Sequence, residues 1–431
     1  MKIFIGPVAV GNYYTQLAKG LAEVGEDVTL LYRYENKFGA GRITTSVIEK
    51  TLQFLARLRT STPRNALFRK SLWAIAHEVF RIFVFLRFAA TCKVFIFGFG
   101  RSFLPGCRDL MFLRMLGKKI FFVFNGSDVR PFFADAVIAG DKDQDIQGLV
   151  KADRRKLARL QRIERFADVI VNWPPMSMFA TKRFLHGSRV GFLNVADEER
   201  SLSVPKNKVR KSNVVRILHC PSNPSVKGTM QIRKFIQRIS MKHTIDWIEI
   251  TDATNAEVLD EIERCDFVVD QLFSDTPMAG FALEAAWFGK PAVVGGYWAD
   301  CICNDLLPDQ VPPSVFVHPD QVETGIEKLV VDTEFRLSLG EKAQNFVRKN
   351  WNKQSVARNW QLIFRGEIPD DWWRDPVNDY VRGCGVHEDR IRDTVCDVVR
   401  NCGPLGLGLD HKPLLRDNVL EFAKITSSSP L

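Results

Sequence analysis

Short uninterrupted apolar runs alternate along this chain with longer segments of helical period. KIFI, closed by Gly6, has the pattern of a buried strand, and Tyr14, Leu17, Ala18 and Leu21 then follow the i, i+3, i+4, i+7 spacing of one helix face. Gly25 ends that helix and DVTLLY (27–32) reads as a second strand, so the chain opens with a β-loop-α-β unit and a parallel sheet. Further strands are expected at 94–98, 120–124 and 168–172. Between them lie helical patterns, one of which, 66–90, is rich in Phe and Arg. The alternation restarts at 214–219 and continues through strands at 245–250, 266–271, 291–295 and 314–317, with helices from about 229, near 256–264 and near 281–289. A helix near 341–364 carries Val356, Trp360, Ile363 and Phe364 on one face, and the charged, Pro-containing stretch 198–213 reads as an interdomain linker.

The pattern predicts two doubly wound α/β domains. The first covers 1–200, the linker 201–213 and the second domain 214–350. A closing helix over 351–366 and a small helical appendage over 367–431 complete the chain. In such sheets ligands sit beyond the carboxyl ends of the strands, so the residues just after each strand are the ones to inspect.

Composition narrows the picture. The chain has 431 residues, 46% apolar and 26% charged, which supports two or three domains and excludes disordered, collagen-like and disulfide-scaffold classes. The longest apolar stretch, 79–100, is broken by Arg81, Arg87 and Lys93, so no segment is expected to span a membrane. Nine cysteines without a paired framework, and no signal-peptide pattern at the N-terminus, point to reduced thiols in a cytoplasm.

Charge is unevenly spread. Residues 1–211 hold 36 Lys and Arg against 18 Asp and Glu, whereas 212–431 hold 24 against 32. Within 50–130 the ratio is 15 to 3, which implies an anionic partner: nucleic acid, anionic lipid or a phosphorylated substrate. Phe68, Trp73, Phe80, Phe83 and Phe85 lie in that basic stretch, so an anionic membrane surface is the expected partner there.

Several familiar motifs fail on their residues. GFGRSF (98–103) has Phe103 where a dinucleotide fingerprint needs its third Gly, and DKDQD (141–145) lacks the Gly and Glu of a calcium loop. Cys384, His387, Cys396 and Cys402 fit no zinc spacing, so no metal site is expected. Three segments after strands carry more weight. In HCPSNPSVKGT (219–229), Ser222, Asn223 and Lys227 precede a helix, where a lysine and helix amides suit a diphosphate. In SDTPMAGFALEAAWFGKP (274–291), Gly280 allows close backbone approach. Glu284, expected in the first turn of the next helix, offers two acceptor oxygens to a ribose diol. FNGSDVR (124–130) places Asn125, Asp128 and Arg130 at a strand end facing the cleft.

Together these segments, over roughly residues 1–365, resemble the nucleotide-sugar glycosyltransferases of the GT-B fold, in particular the retaining family 4 group. The likeness runs through KIFIGPVAVGNYYTQLAKGLAEVGEDVTLLY, LGKKIFFVFNGSDVR, RFADVIVNWP, HCPSNPSVKGT and MAGFALEAAWFGKPAVVGG. It implies that Lys227 meets the donor diphosphate, Glu284 the nucleotide ribose, and the amides of Gly280, Phe281 and Ala282 the phosphates or sugar. Gly11 would keep the first loop open for substrate. Three positions depart from the family pattern: Thr276 stands where it has Glu, beside Asp275; Ser222 where it often has Arg; and Asn125 where it often has His.

The implied activity is transfer of a sugar from a nucleotide-diphosphate donor to a glycan or lipid-linked acceptor at the cytoplasmic membrane face, with no metal or other cofactor. Lys227, Glu284 and Asp128 are the candidate catalytic residues, and no general base is assigned. Nucleic acid is not an expected partner. The alternatives are a non-catalytic binder of anionic surfaces or nucleic acid on a degenerate GT-B scaffold, and a nucleotide-sugar epimerase.

Overall fold

The computed structural model describes residues 1–34, 46–63, 66–136, 145–194 and 214–425. The expected linker and most of DKDQD lie outside the described residues; Asp145, which is described, caps a helix by accepting the Gly148 N–H at 2.9 Å.

The first domain is a parallel sheet of β1 (Lys2–Ile5), β2 (Asp27–Leu30), β3 (Val94–Gly98), β4 (Lys119–Val123), β5 (Val169–Asn172) and β6 (Phe184–His186) in the order β6-β5-β4-β3-β1-β2. Helices α1 (Tyr13–Glu23), α2 (Val47–Ser61), α3 (Leu67–Thr91), α4 (Leu110–Met115) and α5 (Ile146–Phe166) connect them. The apolar runs read from the sequence are these central strands, buried on both faces as parallel sheets require. Much of the phenylalanine excess is core: Phe4 packs 4.9 Å from Phe88 and 4.6 Å from Phe103, ring centre to ring centre.

The second domain has β7 (Val215–His219), β8 (Ile245–Glu249), β9 (Phe267–Val269), β10 (Ala292–Gly295) and β11 (Val315–Val317) in the all-parallel order β11-β10-β9-β7-β8. The strand order reverses between β7 and β9, which makes the loops after those two strands its ligand crevice. The helices α6 (Thr229–Ser240), α7 (Asn255–Arg264) and α8 (Gly280–Trp287) follow β7, β8 and β9 in turn.

Two expectations are corrected here. The single helix near 341–364 is two: α9 (Thr333–Asn350) belongs to the second domain, and α10 (Lys353–Arg365) crosses back to the first. Asn352 makes the break, its side chain accepting the Ser355 N–H at 2.8 Å as an N-cap. Val356, Trp360, Ile363 and Phe364 then bury against Tyr13, Leu17 and Phe121 of the first domain. The appendage is not only helical. Its β12 (Trp373–Arg374) adds an antiparallel seventh strand beside β6, and its helix α11 (Glu388–Cys402) packs on the first domain's α5. Between them the backbone of Cys384 and Gly385 straps the two domains together. Cys384 exchanges 3.2 Å hydrogen bonds with Ala134 and Ala136, and the Gly385 N–H donates to the Phe273 carbonyl at 2.8 Å.

Candidate functional site

Residues following the carboxyl ends of both sheets line a half-open chamber of about 220 Å3. Val10 and Tyr13 come from beyond β1, Phe124 and Asn125 from beyond β4, Trp173 from beyond β5, and Gln271, Ser274, Asp275, Thr276, Met278 and Ala279 from beyond β9. The walls are mostly aromatic and apolar, and Cys384 of the tail lines one side. Its charged groups are Arg130 of the first domain and Asp275 of the second, which meet at 2.6 Å with both side chains buried. Gly126 makes room for this pair, because a Cβ there would lie 2.2 Å from the Arg130 guanidinium.

Of the residues singled out in the sequence, Asn125, Arg130, Asp275 and Thr276 line the chamber, whereas Gly11, Asp128, Ser222, Asn223, Lys227, Gly280, Phe281, Ala282 and Glu284 do not. Asp128 sits behind the chamber, accepting the Asn125 N–H at 3.1 Å and so shaping the turn that presents Asn125 and Arg130. Burial pushes the Asp128 carboxyl up to about 6, against the hydrogen bonds of its own loop.

Lys227 and Glu284 both lie near Asp270 at the β7/β9 crevice. Lys227, at the end of a single helical turn (Pro224–Lys227), pairs at 2.9 Å with the wholly buried Asp270 that follows β9. The predicted phosphate lysine thus already faces a carboxylate, a partner the sequence reading did not identify. Asn223 caps the turn by accepting the Ser225 N–H at 3.1 Å, while Ser222 is exposed. The His219 and Thr229 ends of the motif hydrogen-bond each other at 2.9 Å inside the core, so they fix the loop and do not reach a ligand.

Glu284 is not in the first turn of α8 but one turn further in, turned toward α7, where the Asn255 amide donates to it at 3.0 Å. The helix opens at Ala279 without a side-chain cap, so the amides of Gly280, Phe281 and Ala282 have no capping oxygen. Gly11 does not simply leave its loop open. Asn194 fills the space, its amide group standing 2.4 Å from where a Gly11 Cβ would be and 2.7 Å from a Gly280 Cβ. Its side-chain oxygen also accepts the Asn12 N–H at 3.3 Å, so one asparagine joins the opening loop of one domain to the helix start of the other. The loop from Asp270 to Thr276 links the crevice to the chamber, with Asp270 on Lys227 and Asp275 and Thr276 in the chamber wall.

Burial pushes the Glu284 carboxyl up to about 7; the Asn255 amide opposes this and the charge of Asp270 adds to it. The ordinary value in an unfolded chain is about 4.3, so the folded state holds the extra proton between the two and stability falls as pH rises through that window. Glu284→Gln should therefore raise the melting temperature at about pH 8 and leave it nearly unchanged at about pH 5. Equal shifts at both pH values would contradict the assignment.

No group of His, Cys, Asp and Glu able to hold a metal occurs among the described residues. No protein-family model and no curated protein matches the chain. Solved structures do. Anabaena HepE in complex with UDP is 12% identical, with 85% of this chain and 100% of that one aligned, at a TM-score of 0.47. WaaG, a glycosyltransferase involved in lipopolysaccharide biosynthesis, is 12% identical over 85% and 100%, at 0.44. A S. aureus TarM mutant complex with UDP is 10% identical over 67% of this chain and only 59% of its own, at 0.41. Two doubly wound α/β domains whose strand ends line a shared chamber define the class of fold, and this is the arrangement that the GT-B resemblance of the sequence implies.

Proposed function

We propose that this chain is a glycosyltransferase that moves a sugar from a nucleotide-diphosphate donor to a glycan or lipid-linked acceptor. The reading is carried by one loop, Asp270–Thr276, which runs from the crevice that holds Lys227 and Glu284 into the chamber. A nucleotide at the crevice would place Glu284 on the ribose diol and Lys227, with the uncapped α8 amides, on the diphosphate. Those positive groups would stabilise charge on the departing nucleotide diphosphate. The chamber is smaller than the ~300–1,000 Å3 usual for drug-sized ligands, which suits the transferred sugar and an acceptor hydroxyl better than a whole nucleotide sugar. Its apolar walls would keep water from competing with the acceptor. Retention of configuration follows the family resemblance, and no metal is needed for these contacts.

Lys227→Ala and Glu284→Ala should each weaken UDP or GDP binding about ten- to a hundredfold, as loss of a charged contact from a desolvated site does. Calorimetry with unchanged affinity in both folded variants would remove the donor site. A panel of labelled nucleotide sugars, run with and without EDTA, should show hydrolysis or transfer that survives chelation. Absence of turnover across the panel would favour the non-catalytic binder.

The acceptor side carries the membrane part of the proposal. No helix among the described residues is long and apolar enough to cross a membrane. Helix α3 instead presents Phe68, Leu72, Ile75, Val79, Phe83 and Leu86 to solvent, at steps of three and four residues. Trp73 and Phe80 are half-buried and Phe85 is core, so the exposed stripe differs from the aromatic set the sequence suggested. An apolar stripe bordered by basic residues is the form of an interfacial helix, and it would hold the enzyme on an anionic cytoplasmic leaflet.

A further inference from the structure

Beside that stripe, where α2 packs along α3, lies a cluster that the sugar-transfer reading does not use. Arg33 from beyond β2, Arg59 from α2 and Arg81 from α3 all converge on the carboxylate of Glu78. Arg81 takes it up directly, with Nη1 at 2.6 Å and 2.7 Å from the two oxygens. Arg59 and Arg33 stand at 3.7 Å and 3.9 Å, close enough to feel the charge but too far to hydrogen-bond. Arg81 is further fixed by donating Nε to the Phe103 carbonyl at 2.8 Å.

His77 is wholly buried beside them. Its Nε2 has no hydrogen-bond partner, and its Nδ1 lies 3.5 Å from Glu78 Oε1, at the limit of a useful contact. The Arg33 Nε is likewise buried without an acceptor. Among the described residues, three guanidinium groups here face the one carboxylate of Glu78. Buried donors without acceptors and like charges held together are both costly, and an added dianion relieves both. Arg33 and Glu78 are partly open to solvent and Arg59 is 43% exposed, so such a group can enter from outside.

We propose that Arg33, Arg59, Arg81 and His77 form a binding site for a phosphomonoester or inorganic phosphate, separate from the nucleotide crevice. Phosphate matches the site in charge, and its oxygens accept from planar guanidinium forks in pairs. The group has two possible sources: a phosphomonoester lipid headgroup, delivered where the apolar stripe of α3 enters the leaflet, or a soluble phosphorylated molecule.

The test uses the full chain and two kinds of probe. Calorimetry at low salt with inorganic phosphate and phenyl phosphate reads the soluble source. Co-sedimentation with phosphatidylcholine vesicles carrying phosphatidate, or phosphatidylglycerol at matched surface charge, reads the lipid source. Arg33→Gln and Arg59→Gln should each weaken phosphate or phosphatidate binding about tenfold. Arg108→Gln, an exposed basic control, should not, and UDP affinity should stay as in the parent, which keeps this result independent of the donor site. Arg59→Lys, which keeps the charge but loses the fork, should lie between. Phosphate binding that responds to the two variants supports a soluble ligand, and preference for phosphatidate alone supports the lipid. If neither probe binds, or binding is indifferent to both variants and equal on the two anionic vesicles, the site is overturned.

Discussion

Arg130→Met should lower the unfolding free energy by about 3–5 kcal/mol, because it leaves Asp275 buried and charged without its partner. The pair joins the loop after β4 to the loop after β9, and both side chains are almost entirely withdrawn from solvent. The chamber wall between the domains therefore depends on it. Replacing both partners with apolar residues, as in Arg130→Met with Asp275→Leu, should recover most of the loss, since the penalty lies in the orphaned charge more than in the missing attraction. Urea unfolding of the two single variants and the double variant measures all three. Single variants within about 0.5 kcal/mol of the parent would show that the pair is solvated in solution and that the chamber opens there.

The second large effect belongs to α3. Ile75→Glu with Val79→Glu should reduce binding to anionic vesicles about a hundredfold or more, since each removes roughly 1.5–3 kcal/mol of apolar insertion and adds a charge at the interface. These side chains are 62% and 60% exposed, so the fold should be unaffected. Phe85→Ala is the opposite control. Its ring is buried in the first domain's core, so it should cost about 3–5 kcal/mol of stability and leave vesicle affinity per folded molecule unchanged. Vesicle co-sedimentation that is the same for the double variant and the parent would remove the stripe from the membrane proposal.

These two cases mark where reading the chain stopped being sufficient. The aromatic content of α3 was visible, but which face was which was not. Phe85 is buried, Trp73 and Phe80 are half-covered at the edges of the buried face, and Leu72, Ile75 and Val79 point outward, because α2 and, through Phe88 on Phe4, the first sheet cover one side of the helix only. Likewise Arg130 was placed correctly at the cleft by its position after a strand, while its partner Asp275 lies far along the chain. The Lys227–Asp270 pair was missed for the same reason, although both residues follow strands that flank the point where the sheet order reverses. That signal could have been used: in a doubly wound sheet the residues after those two strands are neighbours.

The sequence by itself determined the two parallel sheets, the strand ends that carry the candidate residues, and the basic character of the first half. Each of these rests on patterns a few residues long: an apolar run that must be buried on both faces, a 3.6-residue period, or a glycine that ends a helix. Only the tertiary structure decided that Lys227 is held by Asp270, that Asn194 fills the gap between Gly11 and Gly280, and that the tail adds a strand and straps the domains at Cys384 and Gly385. It also decided that α10 leaves the second domain for the first. Those outcomes depend on which distant surfaces can bury area and satisfy backbone groups together, and no local spacing encodes that choice.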